Sequence, residues 1–114
     1  MTIPYLYRAT VVSVTDGDTI VANLDMGFNI TIRDSFRLYG INAPEKSVQA
    51  GMDAKAYLQS RLPVGTTIIV QTHKNKQEKY GRWLAKIFLN DVNINEEMVK
   101  TGHASPYLDN IKGF

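Results

Sequence analysis

The chain of 114 residues contains no cysteine. Disulfide bridges, thiolate zinc sites and a cysteine nucleophile are therefore excluded. No apolar run approaches the roughly 20 residues that a membrane-spanning helix needs, so no membrane partner is expected. The N-terminus also lacks a basic segment followed by a continuous apolar core, the pattern of a secretory leader. The sequence as written therefore predicts a cytoplasmic protein, or a mature secreted form if a leader was removed.

A strong excess of charge of one sign is also missing. The 13 Lys and Arg residues nearly balance the 11 Asp and Glu residues, which leaves a net charge of +2. This mildly basic balance permits a polyanionic partner without demanding one. Hydrophobic residues make up 44% of the chain. At this length we expect a single domain, residues 1–114, built around one core.

The first third of the chain has the alternation of β-strands. Residues 5–14, "YLYRATVVSV", and residues 20–25, "IVANLD", flank the segment "TDGDT". An Asp-Gly pair between two such runs predicts a hairpin, because the turn favours residues that tolerate a positive φ. A second turn at "DMG" precedes "FNITIRDSFRLYGI", residues 28–41, which predicts a long third strand. Three strands joined by tight turns form a meander.

The later segments alternate between helical and strand patterns. Residues 47–62 repeat apolar side chains every four positions, at Ala50, Ala54, Leu58 and Leu62, and predict a helix with that buried stripe. Strands are predicted at 66–72 and 82–89, and a short helix at 95–102 with Asn95 as its N-cap. The order of three strands, a helix, two strands and a helix predicts an α+β fold. It is typical of a five-stranded Greek-key barrel of the OB type with two or three flanking helices.

The segment "FRLYGINAPE", residues 36–45, places opposite charges around a stiff turn. Arg37 precedes Gly40 and Glu45 follows Pro44. Each charge has an ordinary interpretation, since strand arginines usually face solvent and an acid near a helix start complements the helix dipole. Together, with glycine and proline fixing the backbone between them, they suggest a cation and a base aimed at one cleft.

A second basic segment, "HKNKQEKYGR" at residues 73–82, holds four Lys and Arg residues and one acid. Such a loop is usually just solvated. With Tyr80 between the cations Lys79 and Arg82, it also suits phosphate contact combined with base stacking. Asp18 follows the glycine of the first turn, so a role in the turn does not explain it fully. No histidine has triad or zinc spacing, and no Gly-x-Ser-x-Gly motif supports serine catalysis.

Taken in order, "DGDT", "RLYGINAPE" and "EKYGR" resemble the staphylococcal nuclease (thermonuclease) family. The segments "GMDAKAYL" and "NINEEMVKTGHA" extend the resemblance over roughly residues 8 to 105. The family fold is an OB barrel with flanking helices. The resemblance implies a calcium-dependent phosphodiesterase, acting as a monomer on DNA and RNA and leaving a 3′-phosphate and a 5′-hydroxyl.

The resemblance also implies roles for nine residues. Glu45 matches the glutamate proposed as general base, and Arg37 and Arg82 match the two arginines that grip the phosphate. The implied calcium ligands are Asp18, Asn42 and the carbonyl of Ala43. The implied substrate contacts are Lys79, Tyr80 and Tyr107.

Asn42 is a departure from the family pattern, because an acidic calcium ligand usually stands at this position. An amide oxygen can ligate calcium but lacks the charge, so we expect weaker calcium binding. The chain also ends at Phe114, where many relatives continue into a third helix. The alternative function is a catalytically silent OB module that only binds nucleic acid or protein. Retention of Arg37, Glu45 and Arg82 favours the enzyme, since a scaffold is free to lose them.

Overall fold

The computed structural model describes residues 5–77 and 80–107, without the side chains of residues 73–77. Its strands are β1 (Tyr5–Asp16), β2 (Thr19–Asp25), β3 (Thr31–Leu38), β4 (Ile41–Asn42), β5 (Thr67–Gln77), β6 (Trp83–Leu89), β7 (Val92–Asn93) and β8 (Ser105–Pro106). Its helices are α1 (Gln49–Arg61) and α2 (Ile94–Lys100). Neither helix is long and apolar enough to cross a membrane.

The five long strands close into a barrel. β1, β2 and β3 form the predicted antiparallel meander, and β5 pairs with both β1 and β6. A parallel pairing of β3 with β6 then joins the two ends of the sheet. This mixed barrel with two described helices confirms the predicted OB-type architecture.

The interior of the barrel is filled by the alternating apolar residues of these strands. The largest side chains with almost no exposure are Phe36, Ile20, Leu38, Leu58, Leu62, Ile68, Ile87, Ile94, Met98, Val11 and Val70. Helix α1 covers one end with Ala54 and Leu58. Burial of this apolar surface is the main driving force for folding. Because the interior is closely packed, the barrel is a rigid platform for the loops at its end.

Helix α1 has the predicted position but a different buried face. Leu58, Ala54 and the following Leu62 are buried as expected, whereas Ala50 is exposed and Gly51 is buried in its place. The prediction that Ala50 is buried was wrong. The first turn of α1 instead packs Gly51 against the backbone of Glu45, so closely that only glycine fits at position 51.

Helix α2 begins earlier than predicted, and Asn95 is not its cap. The side chain of Asn93 accepts the Glu96 N–H at 3.1 Å, as an N-cap residue does. Asn95 lies within the first turn and is buried, and its amide accepts the N–H of Ile87 while donating to the carbonyls of Tyr39 and Ala85. The residue therefore ties α2 to the barrel.

Residues 105–106, in the tail that has no clear sequence pattern, form a short strand pairing, and the tail beyond residue 107 lies outside the described residues. Ile41 pairs with Pro106 and Asn42 with Ser105. The N–H of Tyr107 also donates to the Gly40 carbonyl at 2.8 Å. Two-residue strands leave too little pattern to detect in the sequence, yet this one positions a predicted site residue.

A hydrogen-bonded ion pair joins the two helices. The carboxylate of Glu97 accepts from Arg61 Nε at 2.6 Å, from Arg61 Nη2 at 3.0 Å and from the Tyr57 hydroxyl at 2.8 Å. The hydrogen bond from Arg61 lowers the pKa of Glu97 below its ordinary value of 4.5, against a smaller opposing effect of burial. Because the folded-state pKa is the lower one, this stabilisation is present above pH 4.5 and is lost as Glu97 is protonated.

Replacing Glu97 with glutamine should lower the free energy of unfolding at neutral pH by about 1–2 kcal/mol, since charge-assisted hydrogen bonds are lost. The difference from wild type should shrink as the pH falls below 4.5. Urea unfolding at a series of pH values measures both effects. Glu96→Gln, at an exposed neighbour on the same helix, is the control. A Glu97→Gln deficit that persists unchanged at acid pH would show that the ion pair is not its source.

Candidate functional site

Strand register brings the two arginines of the predicted site to one end of the barrel. Arg37 is paired with Thr19 of β2 on one side and with Leu84 of β6 on the other. Arg82 directly precedes β6, whose first residue Trp83 is paired with Phe36. The closing β3–β6 pairing is therefore what places residues 45 positions apart in the chain side by side.

Arg37 is buried, with 8% of its surface exposed, and contacts two of the three candidate metal ligands, Asp18 and Asn42. Its Nη1 atom is 2.7 Å from Oδ2 of Asp18. Its Nη2 atom donates to Oδ1 of Asn42 at 3.1 Å and to the Ile41 carbonyl at 3.2 Å. The solvent-facing arginine of the ordinary interpretation is thus not what the fold produces. Arg37 is instead held between two side chains of the predicted metal site.

One nitrogen of this guanidinium has no hydrogen-bond acceptor. Among the described residues, Arg37 Nη1 is a buried side-chain nitrogen without a hydrogen-bond partner, even though Asp18 is close. Opposite charges attract at any angle, whereas a hydrogen bond requires the N–H to point at the acceptor. Buried polar groups are normally satisfied, and here the charge of the nearby Asp18 carboxylate compensates the missing hydrogen bond.

Asp18 is the buried carboxylate at the centre of the cluster. Its Oδ2 accepts the Ala43 N–H at 2.9 Å, and its Oδ1 accepts the Thr19 hydroxyl at 3.1 Å. Burial raises the pKa of Asp18, but hydrogen bonds with Asp16 and Ala43 and the charge of Arg37 outweigh it, and the net shift is downward. Asp18 is therefore an anion at neutral pH.

Asp16 shares this turn and has the opposite shift. Burial, followed by the hydrogen bond and the negative charge of Asp18, raises the pKa of Asp16. The Asp18 backbone N–H also donates to Oδ1 of Asp16 at 3.4 Å. Two neighbouring carboxyl groups repel each other when both are ionised, and a cation between them would relieve that repulsion.

Thr19 connects Asp18 to the second arginine, a role that the sequence analysis missed. Its hydroxyl donates to Asp18 and accepts from Arg82 Nη1 at 3.2 Å. The Arg82 guanidinium also lies over the ring of Tyr80, 5.4 Å from the ring centre. Tyr80 itself is 72% exposed, as a base-stacking side chain must be. In the sequence, only the threonine of "DGDT" could have indicated this link between Asp18 and Arg82.

Tyr107 reaches the site through the β4–β8 pairing. The guanidinium of Arg37 lies 5.6 Å from the centre of its ring. The side chain is half-buried. The structure thus places Tyr107 beside the arginine that is predicted to hold the phosphate. Lys79 lies outside the described residues.

Glu45 is exposed and follows Ala43 by two residues in the chain. No hydrogen bond or ion pair joins its carboxylate to another of the described residues. Its backbone, in contrast, is tightly held: its carbonyl accepts the Val48 N–H at 3.2 Å, and a methyl group added at Gly51 would lie only 1.7 Å from that carbonyl oxygen. The close approach of α1 therefore fixes the position of the Glu45 backbone.

Gly51→Ala tests this close approach. In an ordinary helix position the change stabilises a protein by about 1 kcal/mol. Here the new methyl group meets backbone, so we expect destabilisation together with a loss of any activity that depends on Glu45. Thermal unfolding and cleavage assays measure the two effects. Gln59→Ala, on the exposed face of the same helix, is the control. A gain in stability with full activity would contradict the packing account.

Gly17 also has a packing role that differs from the prediction. The Asp-Gly turn was expected to need a positive φ, but Gly17 does not adopt one. A methyl group at this position would lie 2.7 Å from Cβ of Ala54 and 2.8 Å from Cβ of Ala43. Glycine is therefore required because the turn that carries Asp18 packs directly against α1 and the Ala43 segment.

Comparison with known proteins decides the family. Residues 35–112, more than half of the chain, match the family described as staphylococcal nuclease homologue. The chain belongs to the staphylococcal nuclease family. This confirms the resemblance seen in the motifs, and the matched region includes both arginines and Glu45.

Three relatives illustrate the family's range. An uncharacterized endonuclease of Haemophilus influenzae is 34% identical over 97 residues, covering 85% of this chain and 51% of the relative. Endonuclease Htp3 of Saprolegnia parasitica is 30% identical, covering 88% and 56%. The thermonuclease of Staphylococcus hyicus is 29% identical, covering 82% and 56%. The chain spans about half the length of these three relatives, whose names support a nuclease function in general.

Proposed function

We propose that this chain is a calcium-dependent phosphodiesterase that cleaves DNA and RNA and leaves 3′-phosphate ends. The observation that carries the proposal is the arrangement around Asp18. One buried arginine contacts its carboxylate and a second is linked to it through the Thr19 hydroxyl.

The proposed roles follow from the chemistry of each side chain. The planar guanidinium groups of Arg37 and Arg82 each suit two-point contact with a phosphate, which lysine does not reproduce. They would offset the negative charge that grows on the phosphate oxygens as the nucleophile attacks.

Glu45, exposed and without a protein partner among the described residues, would accept the proton of the attacking water. Tyr80 and Tyr107, each beside one arginine, would stack on the flanking bases. Lys79 is the remaining proposed substrate contact.

The side chains around Asp18 suit a hard cation. The proposed donors are oxygens, and calcium prefers oxygen ligands. They are the carboxylate of Asp18 and the amide of Asn42, both already in contact with Arg37, and the carbonyl of Ala43. No cluster of three or more His, Cys, Asp or Glu side chains occurs within the described ranges. Calcium bound here would therefore take several oxygens from water and substrate. When bound, it would withdraw charge from a phosphate oxygen.

Asn42→Asp should tighten calcium binding, because affinity rises with the number of charged ligands. The Asn42 amide oxygen already accepts from Arg37 at 3.1 Å, so a carboxylate there would keep that contact. Isothermal titration with calcium measures the change. The control is Asn23→Asp, on β2 opposite Thr10 and Arg33. Unchanged calcium affinity would show that residue 42 is not a ligand.

A nucleic-acid-binding module without catalysis is the second candidate. The observation that favours it is the amide at Asn42, which leaves Asp18 as the one carboxylate in contact with Arg37 in the described structure. Single-stranded DNA incubated with calcium or with a chelator separates the two functions. Calcium-stimulated cleavage to 3′-phosphate fragments is expected for the enzyme. Binding without cleavage at high protein concentration would establish the module instead.

A further inference from the structure

We propose that a pocket between the Tyr39–Ile41 segment and helix α2 binds one nucleotide of the single strand next to the cleaved phosphate. This inference rests on the proposed nuclease function and extends it to a second contact with the substrate. The pocket has a volume of about 410 Å³. It is lined by Tyr39 and Ile41, by Lys86 of β6, and by Asn95, Glu96 and Lys100 of α2.

The pocket combines an aromatic ring with cations. Lys86 Nζ lies 5.5 Å from the centre of the Tyr39 ring. Lys100, at the end of α2, adds a second positive charge, and Glu96 is the one acid among the described residues of the lining. Because Lys86 lies over the ring, a base would stack on Tyr39 in place of the ammonium group, which could then pair with the adjoining phosphate.

The floor of the pocket is rigid. Asn95 is buried, and its amide is held by three hydrogen bonds, from Ile87 N–H and to the carbonyls of Tyr39 and Ala85. The backbone that carries Tyr39 is further fixed by the hydrogen bond from its N–H to the Ala85 carbonyl at 2.8 Å. A pocket that is already formed loses little entropy when a ligand binds.

The pocket shares a wall with the candidate active site. Arg37 Nη2 donates to the Ile41 carbonyl at 3.2 Å, and Ile41 also lines the pocket. On the same segment, the Gly40 carbonyl accepts from Tyr107, whose ring contacts Arg37. A strand whose phosphate is held by Arg37 would therefore need to cross only the Tyr39–Ile41 segment to enter the pocket.

The test compares short and long oligonucleotides. Binding of a deoxydinucleotide and of a deoxyoctanucleotide is measured by fluorescence anisotropy in a Glu45→Gln background, so that cleavage does not interfere. Lys86→Gln and Lys100→Gln should each weaken octanucleotide binding by about threefold to tenfold and reduce its salt dependence, because phosphate contacts are lost. Tyr39→Leu should weaken it by about tenfold through lost stacking. Dinucleotide binding should not change.

Lys55→Gln, a charge-matched change on α1 away from the pocket, should leave both affinities unchanged. Equal weakening of both lengths, equal weakening by Lys55→Gln, no effect of the pocket variants, or no binding of the octanucleotide would each overturn the proposed subsite. Cleavage by the wild-type protein is assayed separately. If wild type cleaves but the pocket variants bind normally, the subsite alone fails; if wild type neither cleaves nor binds, the proposed function fails.

Discussion

Replacing Arg82 with alanine is expected to lower kcat/KM for single-stranded DNA by about 10²–10³, the cost of removing one preorganised donor to a developing oxyanion. The side chain is half-buried beside the exposed ring of Tyr80 and donates to Thr19 Oγ1 at 3.2 Å. Its loss should therefore cost activity far more than stability. Arg82→Lys should recover part of the binding but not the rate, because an ammonium group does not reproduce the two-point geometry of guanidinium.

The matched control for Arg82→Ala is Arg33→Ala. Arg33 is exposed on β3 and donates from Nε to Asn23 at 2.8 Å, away from the Asp18 cluster. Removing it should leave kcat/KM within about twofold of wild type, as for surface positions without a special role. Comparable activity losses in the two variants would mean that general charge, rather than the position of Arg82, drives catalysis.

Glu45→Gln is expected to lower kcat by about 10²–10⁴, the usual contribution of a general base. The substitution keeps the size and shape of the side chain and removes its ability to accept a proton. Because Glu45 is exposed and its carboxylate has no hydrogen-bond partner among the described residues, the melting temperature should stay close to that of wild type. Single-turnover cleavage with saturating enzyme measures the chemical step directly.

Asp53→Asn is the control for this change, since Asp53 is an exposed acid of α1 that accepts from Gln49 at 2.8 Å. Its rate should match that of wild type. A Glu45→Gln protein that retains most of its rate would remove Glu45 from the mechanism. The arginine cluster would then have to act with a different base or with none.

The barrel could be predicted from the sequence because its signals are local. Alternating apolar residues define the strands of the meander, and the four-residue repeat through Ala54 and Leu58 defines α1. Register then follows from which face is buried, so Thr19 comes to lie opposite Arg37. The predicted grouping of Arg37 and Glu45 depended on the glycine and proline between them and on the family resemblance.

The features that escaped prediction depend on contacts between distant segments. Gly17 and Gly51 are required by close packing against α1 and against the Glu45 backbone, not by a turn angle. Asparagine is a common N-cap residue, but the Asn95 amide is buried because it makes three hydrogen bonds to the barrel. The β4–β8 pairing, which sets Tyr107 beside Arg37, is only two residues long. None of these contacts leaves a periodic pattern in the chain.

We propose that Arg37 and Arg82 hold one phosphate together, with Glu45 facing it. A crystal structure with calcium and a dinucleotide whose linking phosphate is a cleavage-resistant phosphorothioate tests this most directly. We expect both guanidinium groups at hydrogen-bonding distance, about 3 Å, from that phosphate, and the Glu45 carboxylate on the side from which water attacks. A phosphate held by one arginine alone, or bound elsewhere on the barrel, would contradict it.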